Sequence, residues 1–341
     1  MGGGKGRWGS RLPVTSCFED GYIALLCLPI VSPASPLVAW TRPFVLPSLH
    51  RKRRRCRVPT ITIGLGQIHP TLGDVEKNRA IVRDVIERAR AAGVDLLVFP
   101  ELALTGYFLK DIVPYAACTR DSPALAEIAE ASNSMAIILG YVEEGPQHLY
   151  YNAASLFDGG LPVHHHRKVY LPTYGMFEEQ RYFAQGDRFR AADTRFGRMG
   201  LALCEDLWHT SAAYCLWQDG ADLLVILASS PGRGITEADR LTITETWERL
   251  TANYAQMYSQ VVIFVNRVGY EDGVNFWGGS EVLGPDGHRL VKAPYFEEAF
   301  VTCKVDLAEI RRRRIIDTTL RDEDLSITLR ELQRILEARQ Q

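Results

Sequence analysis

The stretch Phe196-Gly-Arg-Met-Gly-Leu-Ala-Leu-Cys-Glu-Asp-Leu-Trp208 is a short apolar run that stops at one cysteine followed by two carboxylates. Leu201, Ala202 and Leu203, behind a glycine-flanked turn, predict a strand buried on both faces, as found inside layered α/β folds. Such a strand carries Cys204 to its own tip, where a side chain can face a cleft. Taken alone the pattern is weak, because cysteine is among the most often buried residue types. Partners for the thiol have to come from elsewhere in the chain.

The composition leaves room for a chemical site. Of 341 residues, 46% are hydrophobic and 23% charged, which is ordinary for one large globular domain or two small ones. A formal net charge of −2 supplies no global reason for a nucleic acid or an anionic membrane as partner, so a small-molecule substrate is expected. Seven cysteines lie far apart, with no CxxC and no paired spacing, which argues against a zinc site or a disulfide framework and for a reduced, cytoplasmic setting. No fixed-period repeat, P-loop or GxGxxG is present.

Residues 1–58 differ from the rest and are read as a disordered extension or as translated sequence upstream of the real start. Their apolar stretch from Tyr22 to Val31 is too short to span a bilayer, and the basic run from His50 to Arg57 reads as a solvated linker, a nuclear address or an anion-binding patch. Regular patterning begins at Pro59. Thr60–Gln67 alternates as a first strand, Asp74–Ala92 has helical spacing closed by Gly93, and Asp95–Pro100 is a buried strand that ends at Glu101. A short helix over Pro123–Ser132 and strands over Met135–Val142, Tyr150–Phe157 and Val163–Tyr170 follow. Beyond Cys204 come a helix over Ser211–Gln218 with Cys215 in its core face, a strand over Asp222–Leu227, a helix over Glu237–Ser259 and a strand over Val261–Val265. Three last strands lie in Gly279–Leu283, Gly287–Lys292 and Ala299–Val305. This order implies an α/β domain over residues 59–306. The tail 307–341, amphipathic from Asp324 to Ala338, is expected to be helical and to pack on the domain or on a second subunit.

Two buried strands thus end in reactive groups, Glu101 and Cys204, and strand exits are where α/β sheets form clefts. Lys168, in His166-Arg-Lys-Val-Tyr-Leu-Pro172, precedes a long aromatic loop of the kind that lines pockets. Glu101 by itself reads equally well as a turn cap, and Lys168 as a solvated strand-end charge. The triplet His164-His165-His166 cannot converge on one metal ion from a straight strand, because neighbouring side chains point to opposite faces.

In combination these motifs resemble the nitrilase superfamily of carbon–nitrogen hydrolases. The resemblance rests on Phe99-Pro-Glu-Leu-Ala-Leu-Thr-Gly-Tyr107, Arg167-Lys-Val-Tyr-Leu-Pro172 and Gly200-Leu-Ala-Leu-Cys-Glu-Asp-Leu-Trp208, in the family's order, and runs from about Thr60 to Val305. It is nearest to the glutaminase domain of glutamine-dependent NAD synthetases, through Tyr170–Phe183 and Cys204–Trp208, without the synthetase domain or its pyrophosphatase-type Ser-Gly-Gly loop. The resemblance implies a four-layer-capable α-β-β-α sandwich, with paired sheets on dimerisation, that cleaves a small amide without metal or cofactor.

It also implies roles. Cys204 would be the nucleophile, Glu101 the base, Lys168 the oxyanion partner, and Glu179 the carboxylate holding Lys168, with Glu178 its competitor. Tyr107, Tyr174, Phe177, Glu205, Ser230 and Arg233 would line a pocket for an amino-acid-like amide, although a slip of one residue exchanges Ser230 for Ser229. Asp206 reads as a turn or cap residue. A glutaminase subunit feeding ammonia to a separate synthetase, and a silent binding protein on the same fold, are the alternative readings.

Overall fold

The computed structural model describes residues 60–233 and 241–340. The expectations for residues 1–58, including the basic run, lie outside this range, as does the segment 237–240 assigned to the start of the second long helix.

The described residues open with β1 (Thr60–Gln67), α1 (Val75–Ala91), β2 (Leu96–Val98), the short α2 (Val113–Ala116) and α3 (Pro123–Ala131). It continues through β3 (Ala136–Glu144), β4 (Tyr150–Asp158), β5 (Leu161–Arg167) and α4 (Glu179–Tyr182). A second half follows with β6 (Ala191–Thr194), β7 (Gly197–Leu203), α5 (Thr210–Gln218), β8 (Leu223–Ala228), α6 (Thr242–Tyr258) and β9 (Val261–Asn266). The hairpin β10 (Val268–Glu271) and β11 (Val274–Trp277), then β12 (Glu281–Leu283), β13 (Arg289–Lys292) and β14 (Ala299–Asp306), complete the strands. The tail is helical in α7 (Ala308–Ile316), α8 (Thr319–Asp322) and α9 (Leu325–Arg339).

Two six-stranded sheets form, in the orders β14-β1-β2-β3-β4-β5 and β13-β12-β9-β8-β7-β6. The central pairs β1–β2, β2–β3, β7–β8 and β8–β9 are parallel, and the flanking pairs antiparallel. Strand alternation decides which side chain goes where. From the first sheet Ile63, Leu65, Val98 and Ile138 point inward, meeting Leu201, Leu203, Val225 and Ile263 of the second in one core. The intervening residues face outward: Leu97 and Ile137 pack under Val82, Val85 and Ile86 of α1 and Leu125 of α3. On the other side Ala202, Leu224 and Ile226 pack under Leu216 of α5 and Trp247 of α6. The layers are therefore α-β-β-α, and strands buried on both faces explain why the central segments read as continuous apolar runs.

Local signals placed most elements within a residue or two. Asp74 caps α1 by accepting from Lys77 N, and Gly93 takes the left-handed conformation (φ +66°) after the helix ends. The short strand β6 and the hairpin β10–β11 went unread in the sequence. Cys215, expected in the core, is exposed: Ala212, Ala213, Leu216 and Trp217 form the inward stripe of α5, and Cys215 lies on the far side of it. The strand over 163–170 also stops early, at Arg167, so Lys168 leaves the sheet.

The sheet core continues into the tail, where Leu307 and Ile310 join the inter-sheet cluster and Arg314 pairs with Asp222 at 2.6 Å. By contrast α9 buries no residue, and Leu329, Leu332 and Leu336 are exposed along it. No helix among the described residues is long and apolar enough to cross a membrane. Replacing Ile310 by Ala is expected to cost roughly 2–5 kcal/mol in urea unfolding, whereas Leu332→Ala should change stability by less than about 0.5 kcal/mol. Equal effects of the two substitutions on the unfolding midpoint would contradict this division of the tail.

Candidate active site

Both sheets deliver a reactive residue immediately past a parallel strand. In the first, β2 ends at Val98, Phe99 N is still held by Ile138 O at 2.9 Å, and the chain turns at Glu101. Leu102 then sits at φ +50°, a left-handed conformation that an apolar side chain rarely adopts. Gly140 on β3 makes the turn possible. A Cβ there would lie 2.6 Å from Pro100 O and 2.8 Å from the Glu101 Cα. In the second sheet β7 ends at Leu203, and Cys204 starts a 3₁₀ turn at φ +40°. Two non-glycine residues with left-handed backbone thus stand at the two strand exits, one beside the carboxylate and one at the thiol itself.

Lys168 joins them from the end of β5. Its backbone N–H donates to Asn152 O at 2.8 Å and its carbonyl accepts from Gly186 N at 2.8 Å, so the backbone remains pinned after the strand has ended. Its Nζ donates to Glu101 Oε1 at 2.8 Å and to Glu179 Oε1 at 2.6 Å, with all three side chains buried. Glu101 is further held by Asn152 Nδ2 on Oε1 at 2.8 Å and by Ser229 N on Oε2 at 2.7 Å. Glu179, the first residue of α4, receives the Tyr107 hydroxyl on Oε1, while its Oε2 is buried with no hydrogen-bond partner among the described residues.

The charges in this cluster set one another. Burial pulls the Lys168 ammonium down, but Glu101 and Glu179 outweigh it and hold the group well above the ordinary lysine value. For Glu179 burial dominates, with Glu101 adding and Lys168 opposing, and its carboxyl is pushed up to about 7. Desolvation and then Glu101 push the Cys204 thiol well above its usual value, against the pull of Lys168. The resting thiol is therefore protonated, and making it a nucleophile requires a base to remove the proton during attack.

Asp206 does more than cap a turn. Fully buried, it accepts from Val169 N and Tyr170 N on Oδ1 at 3.0 and 2.9 Å, and from Leu203 N and His166 Nε2 on Oδ2 at 3.0 and 2.8 Å. One carboxylate thus ties the residues just after Lys168 to the residue just before Cys204. A comparable device holds Tyr107. Glu271 Oε2 accepts from Tyr107 N at 2.9 Å and Phe108 N at 3.1 Å, and its other oxygen pairs with the fully buried Arg267. Sequence reading missed Asn152, Gly140, Arg267 and Glu271. Asn152 left one trace, a lone amide in an otherwise apolar strand.

Of the expected pocket residues, Tyr107 and Phe177 meet edge to face at 6.2 Å, and Tyr174 meets Phe177 at 5.3 Å. The Tyr174 hydroxyl donates to Glu205 Oε2 at 2.9 Å, and the Arg233 guanidinium lies 5.1 Å from the Phe177 ring. These five form one cluster beside the buried charges. Ser230 is turned away from it: its Oγ accepts from the indoles of Trp247 at 3.0 Å and Trp277 at 3.2 Å, and its neighbour Ser229 is the serine that reaches Glu101. Glu178 does not approach Lys168 by any hydrogen bond; Glu179 does. The three histidines diverge, His165 to Glu143 and His166 to Asp206.

A two-sheet sandwich thus gathers a carboxylate, a lysine and a cysteine with left-handed backbone at its strand exits. Residues 62–315 match the carbon–nitrogen hydrolase family, and the chain belongs to it, as an enzyme of the type that cleaves non-peptide carbon–nitrogen bonds. It is 30% identical over 266 residues to the glutamine-dependent NAD(+) synthetase of Thermotoga maritima, covering 75% of this chain and 44% of that protein. The chain therefore spans under half the length of such relatives. It is 25% identical over 261 residues to the N-carbamoylputrescine amidase of Arabidopsis thaliana, covering 71% and 85% of the two chains. The crystal structure of a carbon–nitrogen hydrolase from Helicobacter pylori G27 superposes with a TM-score of 0.70 at 24% identity, covering 80% of this chain and 99% of that one.

The raised Glu179 carboxyl has a measurable consequence. A group whose folded pKa of about 7 exceeds its unfolded value of about 4.5 contributes stability below pH 4.5 that is lost as pH rises through 7. Glu179→Gln removes the titration, so the stability of the variant relative to wild type is expected to rise between pH 4.5 and 7, read from denaturation midpoints at each pH. A difference that is flat across that range counts against the assignment.

Proposed function

We propose that the chain hydrolyses a small primary amide with an amino-acid-like body, through a thioester on Cys204 and with release of ammonia. The observation that carries the reading is Lys168 Nζ, buried and shared between Glu101 and Glu179 beside a cysteine with a left-handed backbone. Glu101 accepts the Cys204 thiol proton as the Sγ–C bond forms. The carbonyl oxygen gains negative charge, which the Lys168 ammonium and the backbone N–H following Cys204 stabilise. Collapse breaks the C–N bond while Glu101 returns its proton to the departing nitrogen, leaving ammonia and a thioester. Water deprotonated by Glu101 then adds to the thioester, and the second collapse releases the carboxylic acid and restores the thiol. Glu179 keeps Lys168 in place throughout, and Tyr107 keeps Glu179 in place.

The substrate class is supported by opposite charges placed at the aromatic cluster. Glu205, held by Tyr174, suits an α-ammonium group, and Arg233, above Phe177, suits an α-carboxylate. Glutamine combines both groups with a terminal amide. The similarity to NAD synthetases over under half their length supports a second reading, in which the released ammonia passes to a separate synthetase-type partner. Exposed leucines along α9 favour self-association into a homodimer or larger homo-oligomer.

Cys204→Ala is expected to lower ammonia release by at least about a thousandfold and to remove iodoacetamide labelling at the Cys204 peptide, while exposed Cys215 remains labelled. Full turnover in this variant would sink the mechanism. Glu205→Gln is expected to raise KM roughly tenfold for glutamine and to leave KM for an amide lacking the α-ammonium unchanged. Equal effects on both substrates would remove Glu205 from the recognition of that group.

A further inference from the structure

A second cavity, of about 270 Å³, lies on the outer face of the first sheet between α3 and the β4–β5 edge. Its walls are apolar, with Leu125 and Ala129 from α3 facing Phe157 and Val163 from the strands. One wall carries a line of polar side chains that the catalytic cluster does not use. Tyr141 OH and Ser155 Oγ lie 2.9 Å apart, Ser155 Oγ is 2.9 Å from His165 Nδ1, and His165 Nε2 is 2.9 Å from Glu143 Oε2. Tyr141 and Ser155 are only 1% and 3% exposed, so this line is a built feature of the wall and not a chance surface contact.

Tyr141, Ser155 and His165 all line the cavity, so the hydrogen-bonded line puts hydroxyl groups within reach of an occupant's polar end. His164 sits opposite Leu156 on β4 and turns its ring to the other face of the sheet, as His166 does.

The mouth calls for an anion. Glu143 accepts both Nε and Nη2 of Arg167, at 2.6 and 3.0 Å, in addition to His165 and to Arg120 Nε at 3.0 Å. Two guanidiniums share one carboxylate, which leaves one positive charge in excess. Arg120 is 67% exposed and engages only its Nε among the described residues, leaving its terminal nitrogens free for an anion.

We propose that this cavity is a second, non-catalytic binding site for a small organic carboxylate. The apolar body, of about one aromatic ring, lies against Leu125, Ala129 and Phe157. The carboxylate meets Arg120, and a hydroxyl at the far end meets Tyr141. Occupancy bears on the reaction centre by a short path, because the Arg167 that shares Glu143 with Arg120 is the residue before Lys168.

Calorimetric titration of the full chain with 4-hydroxyphenylacetate, and with the uncharged 4-hydroxyphenethyl alcohol, tests the proposal. The carboxylate is expected to bind at one site, roughly tenfold tighter than the alcohol. Arg120→Gln, a change to a largely exposed side chain, should remove that advantage. Ala129→Phe, which fills the cavity, should abolish binding of both probes while ammonia release persists, and Cys204→Ala should bind as wild type does. Absence of binding to the wild type, or equal affinity for the carboxylate in the Arg120→Gln protein, overturns the proposal. Loss of binding in Cys204→Ala would assign the probe to the catalytic cleft and overturn it as well. Every binding arm reads affinity alone, so its failure and a failure of the proposed reaction are separately visible.

Discussion

One ammonium group shared by two buried carboxylates governs the organisation of this molecule. Removing three ionisable side chains from water costs several kcal/mol per charge unless each is paired and hydrogen-bonded. Lys168 meets that cost by donating to Glu101 and Glu179 together, and Asn152, Ser229 and Tyr107 fill most of the remaining sites. Two carboxylates against one lysine still leave an imbalance. It surfaces as a raised Glu179 carboxyl, an unpartnered Glu179 oxygen and a thiol that stays protonated at rest. That imbalance is what gives the cluster chemical use, since proton transfers within it are coupled.

Holding such a cluster requires a scaffold that does not yield. The two sheets meet through a single apolar core, and each contributes a parallel strand whose exit is already fixed by its neighbours. Left-handed backbone at Leu102 and Cys204 can persist only because the strands behind and the turns ahead over-determine it. Asp206 and Glu271 then act as staples. The first joins the lysine segment to the cysteine turn, and the second joins the loop after Glu101 to the β10–β11 hairpin. Both staples are carboxylates accepting backbone N–H groups, which fixes chain position more tightly than side-chain packing alone.

Much of this was legible in the residues themselves. Central strands buried on both faces read as unbroken apolar runs, and α1 was bracketed by Asp74 and Gly93. The reactive residues Glu101 and Cys204 stood out because each interrupts such a run at its end. Where reading failed, the reasons are local. Cys215 sits beside Leu216 in sequence but a helix turns it outward. The hairpin β10–β11 is short, has no alternating pattern long enough to detect, and has its first strand bracketed by a buried ion pair between Arg267 and Glu271. Ser230 and Ser229 are neighbours in the chain, yet past the end of β8 one hydroxyl turns into a pair of indoles and the other to the Glu101 carbonyl.

By itself the sequence determined the layered α/β class and the succession of its central strands along the chain, because periodicity is a local property, and the resemblance of its motifs marked Glu101, Lys168, Glu179 and Cys204 as candidates. Only the tertiary structure decided which carboxylate oxygen meets Lys168, that Asn152, Asp206 and Glu271 hold the cluster, and that a second cavity lies beneath α3. Those facts depend on contacts between residues up to 164 positions apart, which arise when two sheets pack and which no local pattern encodes.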